Sequence, residues 1–394
     1  MQTINIKTNR SDTNSVKWNK RILEKYFGNA NILPFGVADM DYESPKELKN
    51  ALIQRANDGV FGYESTPRGF FKSITNWFER RYNWTINKSD INIAPSILSS
   101  IAVLIDLHSQ ENDSIIIQTP VYFQFKQLIK NTKREVLTNP LKQVNGKYEM
   151  DFEDLEEKAS RPEAKILILC NPHNPVGRVW TKEELEKLSK IAIKHDVLVI
   201  SDEIHSDIIF DGNTFIPYLS INEETANNAI ACLSPAKTFN IATASESLVI
   251  IKNEEYKKSY DDFMNKYHLK KTNTFNLLAM QTAYESGEEW LEQLLIYLDD
   301  NIKYLHEFIK EKLPMLKVEK NEGTFLVWLN FEELGLDAKV LEKFLFKEAN
   351  IAVNSGHWFG REGANYARFN IACSKEMLKE GLESLEKAIN NKFK

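Results

Sequence analysis

Three groups of residues in this chain combine side chains able to do chemistry, and each follows directly on an apolar run. Asn171-Pro172-His173-Asn174-Pro175-Val176-Gly177-Arg178 comes after KILILC, Asp202-Glu203-Ile204-His205 after VLVIS, and Ser234-Pro235-Ala236-Lys237-Thr238-Phe239-Asn240 after AIACL. Taken singly, each has a plain structural explanation: Asn-Pro makes a turn, an aspartate after a strand caps a helix, and a lysine is solvated. Three in this order, at one edge of one sheet, point to a bound ligand, because ligands of an open parallel sheet lie beyond the carboxyl ends of its strands. The three cysteines, Cys170, Cys232 and Cys373, sit in or beside apolar runs without CxxC or His-linked spacing. They predict buried free thiols of a reducing compartment, with neither a disulfide nor a metal site.

The elements that must position these groups are short β-branched runs alternating with amphipathic stretches: SIIIQTP (114–120), KILILC (165–170), VLVISD (197–202), AIACLS (229–234) and SLVII (247–251). Runs that are continuously apolar predict strands buried on both faces, hence an α/β fold with a largely parallel sheet between helices. Thr181 and Glu184 form a capping-box pattern opening TKEELEKLSKIAIKHD, which with its flanking runs makes one βαβ unit. From Trp290 onward, Leu294, Leu298, Ile302, Leu305 and Ile309 recur at helical spacing over a stretch long enough to bridge two lobes. Beyond it GTFLVWLNF (323–331) alternates as a half-buried strand. A helix near 338–348, a strand at RFNIAC (368–373) and a final helix from about 375 to 391 complete a smaller α+β lobe.

With 394 residues, 42% of them hydrophobic and 27% charged, the chain has material for large cores and is neither disordered nor fibrous in composition. Fifty basic against 56 acidic residues leave a net charge of -6, without the basic excess that binding nucleic acid requires. The start, MQTINIKTNR, carries no apolar signal core, and no window approaches the roughly 18 apolar residues of a membrane span. A cytoplasmic protein with no membrane partner is expected. No linker, repeat or low-complexity tract divides the sequence, so any second domain must pack closely on the first.

The order of Asn174, Asp202 and Lys237 resembles fold-type I pyridoxal-phosphate enzymes of the class I/II aminotransferase superfamily, and the likeness covers nearly the whole chain. Within it, GVADMDY (36–42), VFGY (60–63), PVYFQF (120–125), CNPHNPVGR (170–178), SDEIHSDI (201–208), KTFN (237–240), NSGHWFG (354–360) and ARFNIAC (367–373) look like the MalY/PatB branch. These are the cystathionine β-lyase-like carbon–sulfur lyases. The resemblance implies a large domain with a mainly parallel seven-stranded sheet (residues 46–288) and a small C-terminal domain (289–394). An N-terminal segment (1–45) is expected to join the small domain.

It also implies roles. Lys237 would form a Schiff base with the aldehyde of pyridoxal 5'-phosphate and, once displaced by the substrate amine, carry the Cα proton. Asp202 would keep the pyridine nitrogen protonated, Asn174 donate to the phenolate oxygen, and Tyr122 stack on the ring. Ser234 and the N–H groups of the Ser96-Ile97-Leu98 turn, with Ile97 and Leu98 opening a helix, would hold the phosphate. Tyr63 corresponds to a tyrosine reaching the phosphate from a neighbouring subunit, which implies a homodimer with shared sites. Arg368 matches the residue that grips the substrate α-carboxylate; Tyr63, Tyr122 and Asn174 also count as substrate contacts. His205 stands where many aminotransferases place a cofactor-contacting tyrosine and is given a supporting role toward the cofactor. Tyr42, Phe123 and Trp358 are candidates for shaping the space around the leaving group.

The chain departs from the branch pattern where a Gly-containing turn is usual, at Ala94-Pro95-Ser96, and again after KTFN, where Ile241-Ala242-Thr243-Ala244-Ser245 lacks a common glycine. No arginine occupies the position with which aminotransferases neutralise the phosphate. The expected reaction is therefore α,β-elimination of cystathionine, cysteine or S-substituted cysteine conjugates to thiol, pyruvate and ammonia. The alternatives are an aminotransferase using the same residues, and a protein of this fold retained for a regulatory partner.

Overall fold

The computed structural model describes residue 6, residues 10–210 and residues 212–393. Residues 1–5 and 7–9 of the expected N-terminal segment, and Lys394 of the expected C-terminal domain, lie outside the described residues. Seven strands make the large sheet: β1 (Ile91–Ala94), β2 (Ser114–Ile117), β3 (Glu135–Thr138), β4 (Ala164–Cys170), β5 (Leu198–Asp202), β6 (Ala229–Leu233) and β7 (Ser247–Ile251). Their spatial order is β1-β7-β6-β5-β4-β2-β3, with β7 antiparallel to both neighbours and the other pairings parallel.

The five apolar runs all become strands of this sheet, and their composition explains why. Ile115, Ile117, Ile166, Ile168, Ile200 and Ile230 pack into one core, while Ile116, Leu167, Leu169, Val199 and Ala229 pack into another on the opposite face. Successive side chains of a strand point to opposite faces, so a sheet covered on both sides needs apolar residues at every position. Strands β1 and β3 were not anticipated. Both lie at edges of the sheet and neither is a continuous apolar run: β1 places Asn92 between isoleucines, and β3 opens with the exposed Glu135 and closes with Thr138. The capping box forms as expected, Thr181 Oγ1 accepting the Glu184 N–H and Glu184 Oε2 the Thr181 N–H, and opens the helix Lys182–Lys194.

The smaller sheet has four strands, β8 (Lys317–Val318), β9 (Leu326–Asn330), β10 (Asn354–Ser355) and β11 (Tyr366–Asn370), in the antiparallel order β8-β9-β11-β10. The helix Glu288–Lys312 touches the final helix, Lys375–Phe393, and the helix Thr274–Ser286, with Leu294, Leu298, Ile302, Leu305 and Ile309 all buried. The half-buried reading of 323–331 is corrected: every residue of β9 is buried. Its polar-looking face is covered as well, since Trp328 stacks on Tyr366 with ring centroids 5.1 Å apart and meets Phe359 edge-on. Among the described residues no helix is long and apolar enough to cross a membrane.

Candidate active site at the carboxyl edge of the large sheet

The register of the sheet lays Cys170 opposite Asp202 and Asp202 opposite Cys232, so the three polar groups leave the sheet side by side. The first is a turn braced from beneath. Arg178 is buried, with Nε 2.7 Å from Glu322 Oε2 and a second ion pair to Glu184, and Gly177 adopts φ +71° where a Cβ would collide with Asn321. Arg178 thus anchors the turn, while Asn174 projects from it into the site. Asp202 ends β5, and its Oδ1 accepts the Ile204 N–H at 3.2 Å. Lys237 lies in the segment after β6, and its Nζ donates to the Ala38 carbonyl at 2.5 Å.

A cavity of about 340 Å³ opens among them. Ile97, Leu98, Tyr122, Asn174, Asp202, His205, Ser234 and Lys237 all line it. Ile97 and Leu98 start the helix Ile97–His108, whose first N–H groups have no partner within the helix; Ser96 is its N-cap, its hydroxyl accepting the Ser99 N–H. Burial dominates the protonation of the site. It pushes the Asp202 carboxyl up to about 7, with the Ile204 N–H and Lys237 pulling the other way. Burial and the Arg368 charge bring the Lys237 amine down to about 8, against the pull of Asp39 and Asp202. An amine near 8 has a neutral fraction able to act as nucleophile and base close to neutral pH. Burial, then Lys237 and Arg368, hold His205 well below its ordinary value, so its imidazole is neutral. Tyr122 is pushed up to about 12, mainly by burial, and its hydroxyl donates to Gln124.

Arg368 comes from β11, opposite Trp328 and Asn354 in register. It is 3% exposed, which rules out a surface ion pair. Its NH1 donates to Asn174 Oδ1 at 3.0 Å and its NH2 to the Gly36 carbonyl at 3.0 Å and to Asn354 Oδ1. These acceptors are neutral, and Nε is buried without a hydrogen-bond partner. A guanidinium keeps its charge in such surroundings. The Phe359 ring lies 5.1 Å from its guanidinium carbon, and a buried cation met by neutral oxygens and an aromatic face is suited to an incoming carboxylate.

The segment Gly36–Tyr42 contributes Ala38 to the cavity wall. Asn370 Nδ2 donates to the Val37 and Asp39 carbonyls, and Asn240 Nδ2 to those of Met40 and Tyr42. Ala38 therefore meets Lys237 through its backbone oxygen, a contact that a side-chain reading of Ala-Asp-Met-Asp does not reveal. Tyr42 is spent elsewhere, its hydroxyl donating to the Cys373 carbonyl at 2.6 Å and its ring meeting Tyr297. Phe123 and Trp358 do meet, with ring centroids 6.1 Å apart, but neither lines the cavity. Tyr63 does not join the cluster: it is 99% exposed, and its ring has Lys271 Nζ 5.7 Å away.

Cys170, Ser245 and Glu246 also line the cavity and were not anticipated. The Cys170 thiol is pushed up by burial and by Asp202, which makes it unreactive. Glu246 turns its carboxylate to Asn276 Nδ2 and the Asn273 N–H, and its carbonyl accepts the Ser234 hydroxyl at 2.9 Å. Among the described residues no arginine, Arg368 included, is part of the cavity wall.

Residues 30–385 match the family model for aminotransferase class I and II. Among curated relatives, cystathionine beta-lyase PatB of Bacillus subtilis (strain 168) is 34% identical over 97% of this chain and 98% of its own length. Protein MalY of Escherichia coli (strain K12) is 33% identical over 92% and 93%. A PLP-bound crystal structure from Clostridium difficile 630, named as a candidate aminotransferase, is 42% identical with a TM-score of 0.94, covering 98% of this chain and all of that one.

Proposed function

The chain belongs to the class I and II aminotransferase family, and from that premise we propose that it is a pyridoxal-phosphate-dependent carbon–sulfur β-lyase. The substrates would be cystathionine, cysteine or S-substituted cysteines. The observation that carries this reading is Lys237: an amine brought down to about 8, in a cavity shared with Asp202 and beside the uncompensated Arg368.

The cavity suits the cofactor in size and in donor set. It offers an amine for the aldehyde, a carboxylate for the ring nitrogen, an amide at Asn174 and an aromatic face at Tyr122. Ser96, Ser234 and the opening turn of the helix Ile97–His108 would take the phosphate. When bound, pyridoxal phosphate supplies an electron sink for charge left at Cα. The protein's residues then decide which bond breaks. Arg368 would orient the substrate by its α-carboxylate, fixing the Cα–H toward Lys237. Lys237, as the neutral amine, would take the Cα proton. Asp202 would hold a proton at the ring nitrogen, and the thiolate would depart from Cβ, taking up a proton. With one water consumed, the products are a thiol, pyruvate and ammonia.

Tyr63 is read as reaching the site of a second copy, in a homodimer with shared sites; its near-complete exposure in the single chain supports this. Residues 46–288 would form the cofactor-binding domain and 289–394 the small one, joined by 1–45. The buried free thiols support a cytoplasmic setting. The name of the Clostridium difficile structure favours a second reading, transamination with the same residues.

One assay separates the two. Purified protein given S-substituted cysteines should release thiol and pyruvate without any 2-oxo acid. Silence until a 2-oxo acid is added would replace the lyase by the transaminase. Borohydride should fix the cofactor to Lys237, and an adduct on another lysine would remove the assignment altogether.

A further inference from the structure

Asp207 lies five residues beyond Asp202 in the turn after β5, outside the cavity wall, and is 5% exposed. Its Oδ1 accepts the Tyr82 hydroxyl at 2.6 Å and the Trp77 indole N–H at 3.2 Å, both from the helix Phe70–Tyr82, with Arg81 Nε 3.9 Å away. Its Oδ2 accepts the Thr238 hydroxyl at 2.7 Å. Thr238 follows Lys237 directly. A single carboxylate thus joins the segment that carries Asp202 to the segment that carries Lys237, and bolts both to a helix from an earlier part of the chain.

We propose that Asp207 is a positioning residue: through Thr238 it sets the place of Lys237 relative to Asp202. The inference rests on Lys237 being the reacting amine. A carboxylate is the chemical type this junction requires. Ionised, it only accepts, so hydroxyl, indole and hydroxyl donors can converge on it without conflict, whereas an amide would turn N–H groups toward at least one of them. Thr238 is in turn obliged to donate, which fixes its rotor and the backbone one residue from the lysine. Burial raises the Asp207 carboxyl, and its hydrogen bonds from Tyr82, Thr238 and Trp77 with the Arg81 charge offset only part of that rise. Lys237 itself has four side-chain torsions, and its Nζ is steadied at the far end only by the Ala38 carbonyl. Misplacing a reacting group by about 1 Å can reduce a rate on the order of 100-fold.

The test uses the cofactor-loaded protein with Thr238→Val, which keeps the shape and removes the donor, Thr238→Ser, which restores it, and Asp207→Asn. Thr238→Val should retain cofactor and bind substrate with KM within about threefold of the parent, while kcat falls roughly 10- to 100-fold. Thr238→Ser should recover most of that loss, and Asp207→Asn should show the same selective fall in kcat. Thr238→Val at parental kcat overturns the proposal, as does Thr238→Ser being equally slow, which would assign the effect to the methyl group. If Thr238→Val does not fold, Asp207→Asn decides alone: unchanged kcat overturns the proposal. Borohydride fixation on Lys237 in the parent is read alongside. Its failure removes the lysine assignment and this inference with it, whereas fixation with an unaffected Thr238→Val removes this inference only.

Discussion

Lys17 and Arg368 are both cations buried near the segment Gly36–Tyr42, and the protein treats them in opposite ways. Lys17 is 1% exposed, its Nζ 2.7 Å from Asp41 Oδ2, and the same carboxylate accepts the Trp18 indole N–H with Arg10 Nε 3.4 Å away. Arg368 has the amide oxygens of Asn174 and Asn354, the Gly36 carbonyl and the Phe359 ring face 5.1 Å from its guanidinium carbon, with one N–H lacking a hydrogen-bond partner and, among the described residues, no carboxylate paired with it. The first arrangement is closed: charge meets charge, and no ligand is needed. The second is open, with a charge held out of water and its counter-ion left to arrive. That openness is what the proposed grip on a substrate carboxylate would use. Burial is common to both cations; the carboxylate beside one of them is what separates them.

Lys237, partly buried beside the same segment, is the cation whose removal should matter most. Lys237→Ala should reduce lyase turnover on the order of 10⁴-fold or more while leaving thermal stability unchanged or raised, since burial disfavours its ammonium. Pyruvate release and a melting curve check both halves. Lys17→Met should do the reverse, because it strands Asp41: breaking a buried pair by removing one partner costs about 3–5 kcal/mol. Arg10 can take up part of the charge, so a value near the low end is expected in urea unfolding of cofactor-free protein. Adding Asp41→Leu should regain part of that stability, since the stranded charge is removed while the Trp18 indole N–H loses its acceptor. A Lys17→Met loss under about 1 kcal/mol would break the contrast, showing that Asp41 did not depend on its lysine.

The two regions also differ in how much of them could be read from sequence. The Asp202 and Lys237 side is made of strand ends, where each apolar run and the polar residues after it are contiguous; periodicity located the strands and the sheet edge followed. The Arg368 side is assembled from residues far apart in the chain. Arg368 and Gly36 are neighbours only because β11 and the Gly36–Tyr42 segment pack together, and no local pattern encodes that. Resemblance, not periodicity, supplied Arg368. The Ala38 carbonyl was invisible because its contribution is backbone, and Asp207 because a polar residue after a strand looks like a turn. The strand 323–331 was read as half-buried because Trp328 and Asn330 alternate with aliphatic residues; the covering aromatic residues, Tyr366 and Phe359, lie too far along the chain to be counted.

Arg368→Gln sharpens the comparison from the other side. Losing a buried charge contact to the substrate carboxylate is worth about 2–4 kcal/mol, so kcat/KM should fall roughly 30- to 1,000-fold. Most of it should fall in KM for substrates with a free α-carboxylate. Stability should fall less than in Lys17→Met, because neutral oxygens and no carboxylate of the protein lose a partner. If Arg368→Gln destabilises as Lys17→Met does, the two cations are alike and the guanidinium is structural.

The smallest expected effect reads the Arg368 charge from its neighbour. In cofactor-free protein, an amine-selective reagent attacks only neutral Lys237, so labelling should rise with pH through a midpoint near 8, well below that of an exposed lysine. Burial sets most of that displacement, and mutation leaves it in place. Arg368 disfavours the ammonium and Asp202 favours it. Arg368→Gln should therefore move the midpoint up and Asp202→Asn should move it down, each by a fraction of a pH unit to about one unit at the several-ångström separations of such a site. Opposite signs are the content of the prediction. A structural disturbance that let water into the cavity would raise the midpoint in both variants, because hydration relieves the burial that lowers it. Two upward shifts would mean that Asp202 does not act on the lysine through its charge, and an Arg368→Gln midpoint that stays at 8 would mean that the open cation is too well screened to be felt.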